Sequence, residues 1–148
     1  MAAEVVVALL NLVCSLYLAG LIWTIQLAHY PAFRFVEADQ FVSFERFHQA
    51  RMTYIVAPAM IAEASASIAL LVWRPAFVPL WLSIAGCVLV GCIWMSTVLV
   101  QVPLHARLSN GKDLESIELL IRTNWVRTVA WTVRGIAGVA LLAAALNQ

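Results

Sequence analysis

Four long apolar runs, roughly 4–29, 51–73, 79–104 and 122–146, alternate with short polar stretches along the chain. Each reaches the ~20 residues an α-helix needs to cross a bilayer core. The pattern predicts an all-α, integral membrane four-helix up-and-down bundle, with residues 1–148 forming a single transmembrane domain. Pro31 predicts that the first span ends at His29-Tyr30-Pro31, because the residue before a proline is pushed out of the α region. The next stretch mixes Phe33, Phe35, Phe41, Phe44 and Phe47 with Arg34, Glu37, Asp39, Glu45 and Arg46. That mixture predicts an interfacial helix over roughly 36–50, running into the second span from Ser43 onward. Pro58 predicts a bend in that span, Pro79 opens the third and Ser109-Asn110-Gly111 ends it. Asp113 is placed to cap a last helix whose first turns carry a Glu118–Arg122 pair and which meets no proline before Gln148. The first run lacks a basic leader and a small-residue cleavage site, and is read as a retained span.

Composition agrees with the pattern. Of 148 residues 64% are hydrophobic and 11% charged, against about 25% charged in a soluble domain. Nine Lys plus Arg against eight Asp plus Glu leave no field that points to nucleic acid. Cys14, Cys87 and Cys92 lie inside apolar runs and read as small buried hydrophobes. The basic residues are unevenly shared. Arg34, Arg46, Arg51, Arg107, Lys112, Arg122 and Arg127 follow spans one and three, whereas the opposite side has Arg74 alone. By the positive-inside rule both termini are non-cytoplasmic, in a cell inner membrane. Trp73, Phe77 and Trp81 would form the outer aromatic belt, and Trp23, Tyr30, Tyr54 and Trp125 the inner one.

Arg134 changes the picture, because a guanidinium deep in a span cannot shed its proton and needs a partner. Glu63 lies 12 residues in from Arg51, and Arg134 lies 12 residues in from Arg122. Both are therefore about 18 Å from the same side. Their matching depth predicts an ion pair, and two roles are equally open to it: a catalytic pair at the polar end of a substrate, quinone or proton pathway, or a device that fixes helix register.

All three histidines, His29, His48 and His105, fall at the inner end. Glu45-Arg-Phe-His48 puts a carboxylate and an imidazole on one helix face, the Glu-x-x-His spacing of carboxylate-bridged metal bundles. Three imidazoles and Glu45 suit iron, copper or zinc, with haem ligation by two histidines as a variant; interfacial histidines reaching for headgroups are the plainer alternative. Asn124, Trp125 and Arg127 start span four at this level, and Trp94, Thr97, Gln101 and His105 trace one path along span three. Gln101, Asn124, Trp125 and Arg127 are thus candidates to hold a cofactor, substrate or lipid phosphate. The polar residues of span one, Asn11, Ser15, Tyr17, Thr24 and Gln26, share no single face. Gly135 and Gly138 permit close helix approach.

Two segments, Gln101-Val-Pro-Leu-His105-Ala-Arg-Leu and Thr123-Asn-Trp-Val-Arg127-Thr, give the chain a resemblance to the anthrone-oxygenase-like group of small four-helix membrane proteins. His105 departs from that group's pattern, where Asn is commoner. The resemblance implies oxygenation of a planar polycyclic phenol to a quinone, with no established cofactor. Combined with the residues, it makes the leading expectation an oxidoreductase or oxygenase-like protein. Its substrate would be a lipophilic, quinone-like molecule in a cavity between the histidines and the Glu63–Arg134 pair. The rivals are a non-catalytic accessory subunit of a larger membrane complex, or a homo-oligomeric small transporter. Bilayer lipid is the partner common to all three.

Overall fold

The computed structural model describes residues 3–146. Its helices are α1 (Ala3–Phe35), α2 (Ala38–Val72), α3 (Leu80–Leu108) and α4 (Leu114–Leu146), each long and apolar enough to cross a membrane. They run alternately up and down, and α1 packs on α2 and α4 while α3 packs on the same two, closing a four-helix ring. One end of the bundle carries the histidines and the other carries Arg74. Apolar side chains cover much of the outside: Leu27, Ile68, Val88 and Leu99 are each more than half exposed, as lipid-facing residues should be.

The first span does not stop at Pro31. The chain widens into a π-helical segment at Ile25–His29, where the Tyr30 N–H bonds back to the Ile25 carbonyl. It then continues through Tyr30–Ala32 and a 3₁₀ turn at Phe33–Phe35. α3 repeats the device, with a π segment at Thr97–Gln101 followed by Pro103. A proline ring clashes with the carbonyl four residues earlier, here that of Leu27 or Leu99, and both carbonyls lie inside the widened segments. The extra residue removes the clash without ending the helix. It also rotates His29 and His105 relative to the turns that precede them.

The expected interfacial helix over 36–50 is also corrected. Val36 and Glu37 make the turn, and residues from Ala38 onward are the first turns of α2 itself. Phe33 and Phe41 are fully buried, in one cluster with Leu108, Ile117 and Leu120, whereas Phe35 and Phe47 of the same stretch are exposed, so one face of the segment seals the bundle end and the other faces outward. Glu118 does not pair with Arg122. It takes two bonds from Arg34, Nε to Oε1 at 2.5 Å and Nη2 to Oε2 at 2.7 Å, tying α1 to α4. Asp113 caps α4 as expected, accepting the N–H groups of Glu115 and Ser116. Gly135 and Gly138 face α1: a Cβ on Gly138 would lie 2.7 Å from Leu12 Cδ1, and one on Gly135 3.1 Å from Leu16 Cδ2. Cys14 is buried, whereas Cys92 is exposed on the lipid side and all three thiols are free.

Candidate functional site

Two polar centres are buried in the bundle, one at mid-depth and one at the histidine end. The mid-depth centre is the ion pair. Arg134 Nε donates to Glu63 Oε1 at 2.9 Å, and the two side chains are 4% and 1% exposed. Glu63 Oε1 also accepts from Ser15 Oγ at 2.7 Å, and Oε2 from Trp131 Nε1 at 2.9 Å. Arg134 Nη1 donates to the Gly86 carbonyl at 2.5 Å, and Nη2 to Ser67 Oγ at 3.0 Å. Nη2 also reaches Ser15 Oγ at 3.3 Å and Asn11 Oδ1 at 3.4 Å. Both carboxylate oxygens are satisfied, the charges cancel, and all four helices contribute. Gly86 lets the guanidinium come close: a Cβ there would lie 3.2 Å from Arg134 Nη1, which would have to shift by a few tenths of an ångström.

At the other centre Glu45 is 0% exposed and His48 4%. The Glu-x-x-His spacing brings them together on α2, and His105 reaches them from α3. One ligand atom from each of Glu45, His48 and His105 lies within 4.8 Å of the others. Glu45 Oε1 is 2.6 Å from His105 Nδ1 and accepts from Gln49 Nε2 at 3.1 Å, while Oε2 has no partner. Since a carboxylate only accepts, His105 Nδ1 carries the proton of that contact. When the ring is neutral, its Nε2 accepts from the Tyr30 hydroxyl, 3.1 Å away. Gln49 Nε2 also bonds the His105 carbonyl at 3.2 Å, which fixes the backbone behind the ring.

His29 stands beside this set and not in it. Its Nε2 is 2.6 Å from His48 Nδ1, and the rings of His29, His48 and His105 form a stack with centroids 4.7 and 5.0 Å apart. Phe33 closes the stack from outside, edge-on to His48 at 5.0 Å and to His29 at 5.5 Å. Tyr30 is 4% exposed and belongs to this centre, not to an aromatic belt.

The other expected ligand-holding residues divide. Asn124 is fully buried and donates to Gln26 Oε1 at 2.9 Å; Gln101 is 2% exposed and donates to Thr123 Oγ1 at 3.0 Å. Arg127, 5% exposed, stacks over Trp131 with its guanidinium carbon 5.2 Å from the ring. Trp125 is not at the site: it is 40% exposed and meets Trp23 edge-on at 5.5 Å on the outer surface. Asn124, Gln101 and Arg127, with Trp131 and Ile22 at 1% exposure, form a buried layer between the two centres. A cavity of about 380 Å³ lies instead beyond Arg134, toward the Arg74 end. Tyr30, Gln49, Asn11, Ser15 and Ser67 are the participants that sequence reasoning did not assign. A carboxylate whose i+4 neighbour is an amide, as in Glu45 and Gln49, was the one available signal among them.

The histidine-end geometry can do two things chemically. It can pass a proton along Tyr30, His105 and Glu45, or it can exchange that proton for a cation held by oxygen and nitrogen donors, since metal binding displaces protons from its ligands. No protein-family model, curated protein or solved structure matches this chain.

Proposed function

We propose that this small membrane protein is a metalloprotein of the oxidoreductase class, its ion held by Glu45, His48 and His105. One observation carries the reading: Glu45, wholly buried, has an unpartnered Oε2. Among the described residues no Lys or Arg nitrogen lies within 4.0 Å of it. A buried acceptor without a partner costs about 1–3 kcal/mol. A buried carboxylate lacking a fixed counter-charge is more costly still, and a cation relieves both deficits. Two imidazoles and a carboxylate suit iron or copper and leave positions open for a small molecule. Gln49 would orient the carboxylate, and Tyr30, bonded to His105, puts a phenol beside the ligand set. When bound, such an ion supplies electron-transfer or oxygen chemistry. The chain's own residues would fix and bury the donors, and a proton displaced from His105 Nδ1 would pass to Nε2 of the same ring, beside the Tyr30 hydroxyl oxygen.

The test is to load the purified protein separately with iron, copper and zinc and record absorption and electron paramagnetic resonance spectra with oxygen uptake in the presence of a phenolic reductant. The expected result is a redox-active ion whose signal and oxygen uptake vanish in His48→Ala. Binding of zinc alone, with no oxygen uptake from iron- or copper-treated protein, overturns the oxidoreductase reading. The excess of basic residues at the histidine end supports a cytoplasmic location for it. Cysteines introduced at positions 37 and 112 should label from inside and one at position 76 from outside; the reverse pattern overturns that orientation.

A further inference from the structure

The cavity beyond Arg134 has the make-up of a ligand site. Its volume, about 380 Å³, falls within the range of small-molecule pockets. Its walls are apolar, with Leu12, Leu82, Leu89 and Leu142 among them, and four of its polar residues, Asn11, Ser15, Ser67 and Arg134, are bonded into one group. Two polar residues of the lining have unused hydrogen-bonding capacity. Ser83 is 7% exposed, lines the cavity, and its hydroxyl has no partner. Arg134 also lines it, and Nη1 spends a single N–H on Gly86, leaving the second free.

The charge state narrows the ligand. Glu63 already neutralises Arg134, so an anion entering here would add an uncompensated charge at depth, whereas a neutral acceptor would complete the hydrogen bonding. The polar groups are reached past apolar walls, including Phe77 and Trp81 near the Arg74 end. A fitting molecule therefore goes in with its polar part leading and leaves an apolar body in the mouth. We propose that this cavity binds the carbonyl head of a neutral, quinone-type lipophile, with Ser83 and Arg134 as the donors. Glu63 acts as a positioning residue that holds the guanidinium and sets the preference for a neutral head. Some 15 residues of α2 separate Glu63 from His48, about 22 Å along the helix, so this site stands apart from the metal centre and does not depend on it.

Decylbenzoquinone is the probe, and its binding to the full chain in lipid nanodiscs is the measurement. Ser83→Ala should weaken binding about 3- to 10-fold, the loss of one hydrogen bond. Ser83→Leu, which removes the hydroxyl and puts an apolar side chain where the carbonyl head would sit, should abolish it, with thermal unfolding confirming that the variant is folded. Decanoate should bind far more weakly than the quinone. Discs of ester-linked and ether-linked lipids should give equal affinities; tighter quinone binding in ether lipid alone would assign the pocket to lipid ester carbonyls and overturn the proposal. So would equal binding by the parent and folded Ser83→Leu. Glu45→Gln should bind the quinone normally, which keeps a failure here distinct from a failure of the metal reading.

Discussion

Glu63 and Glu45 are both carboxylates buried in α2, 18 residues apart, and they live in opposite circumstances. Glu63 has both oxygens bonded and a guanidinium at 2.9 Å. Glu45 has one oxygen without a partner, and its other oxygen meets an imidazole and an amide, His105 Nδ1 and Gln49 Nε2. The Glu63 set is charge-balanced and joins all four helices, and its spare capacity is a donor, the second Nη1 N–H of Arg134. An incomplete set with leftover acceptor capacity gains by taking up a cation. The two carboxylates thus differ in what is left over: Glu63 has no unused oxygen, whereas Glu45 keeps one acceptor, on which the proposed metal site rests.

The largest expected effect comes from breaking the Glu63 set. Arg134→Met leaves Glu63 buried and unpaired, and Glu63→Gln leaves Arg134 so; each should lose about 3–5 kcal/mol of stability. The double replacement Glu63→Gln with Arg134→Met should recover most of that loss, read by denaturation in mixed micelles. Trp131→Phe removes the donor to Glu63 Oε2 and should cost about 1–3 kcal/mol by the same assay. At the Glu45 set the order reverses. Glu45→Gln, which removes the uncompensated buried charge, should leave metal-free stability unchanged or raised while abolishing metal binding. Gln49→Leu, which frees Glu45 and the His105 backbone, should weaken metal affinity about 10–100-fold, read by competition with a chelator. The smallest effect lies outside both centres. The Ser116 hydroxyl holds the Asp113 carboxyl below the usual carboxylate range. A depressed pKa means that the cap's stabilisation is present at neutral pH and fades as pH falls through that lowered value. Ser116→Ala should flatten this part of the acid profile in a thermal melt.

The four spans and the ion pair were legible because both rest on one-dimensional quantities: length of apolar run and depth along a helix. Glu45 with His48 was legible from i,i+3 spacing, and His105 from its depth. The π segments were not, since an extra residue in the turn leaves no mark on hydropathy, and they hide how Tyr30 leaves the belt for the core. Asn11, Ser15 and Ser67 shared no obvious face with anything until α1 was packed on α2 and α4, because small polar residues in a span bond equally well to their own backbone. The cavity was expected between the two centres. The sequence could not reveal that Trp131 and the Gln26–Asn124 pair form a buried layer there, nor that the void falls on the far side of Arg134.

The most direct test is the metal content of protein purified after growth with iron and copper and then dialysed, compared across the parent, Glu45→Gln and the Glu63→Gln, Arg134→Met double variant. The account predicts one bound ion per chain in the parent and in the double variant, and none in Glu45→Gln. A metal-free parent, or equal metal in folded Glu45→Gln, would contradict it.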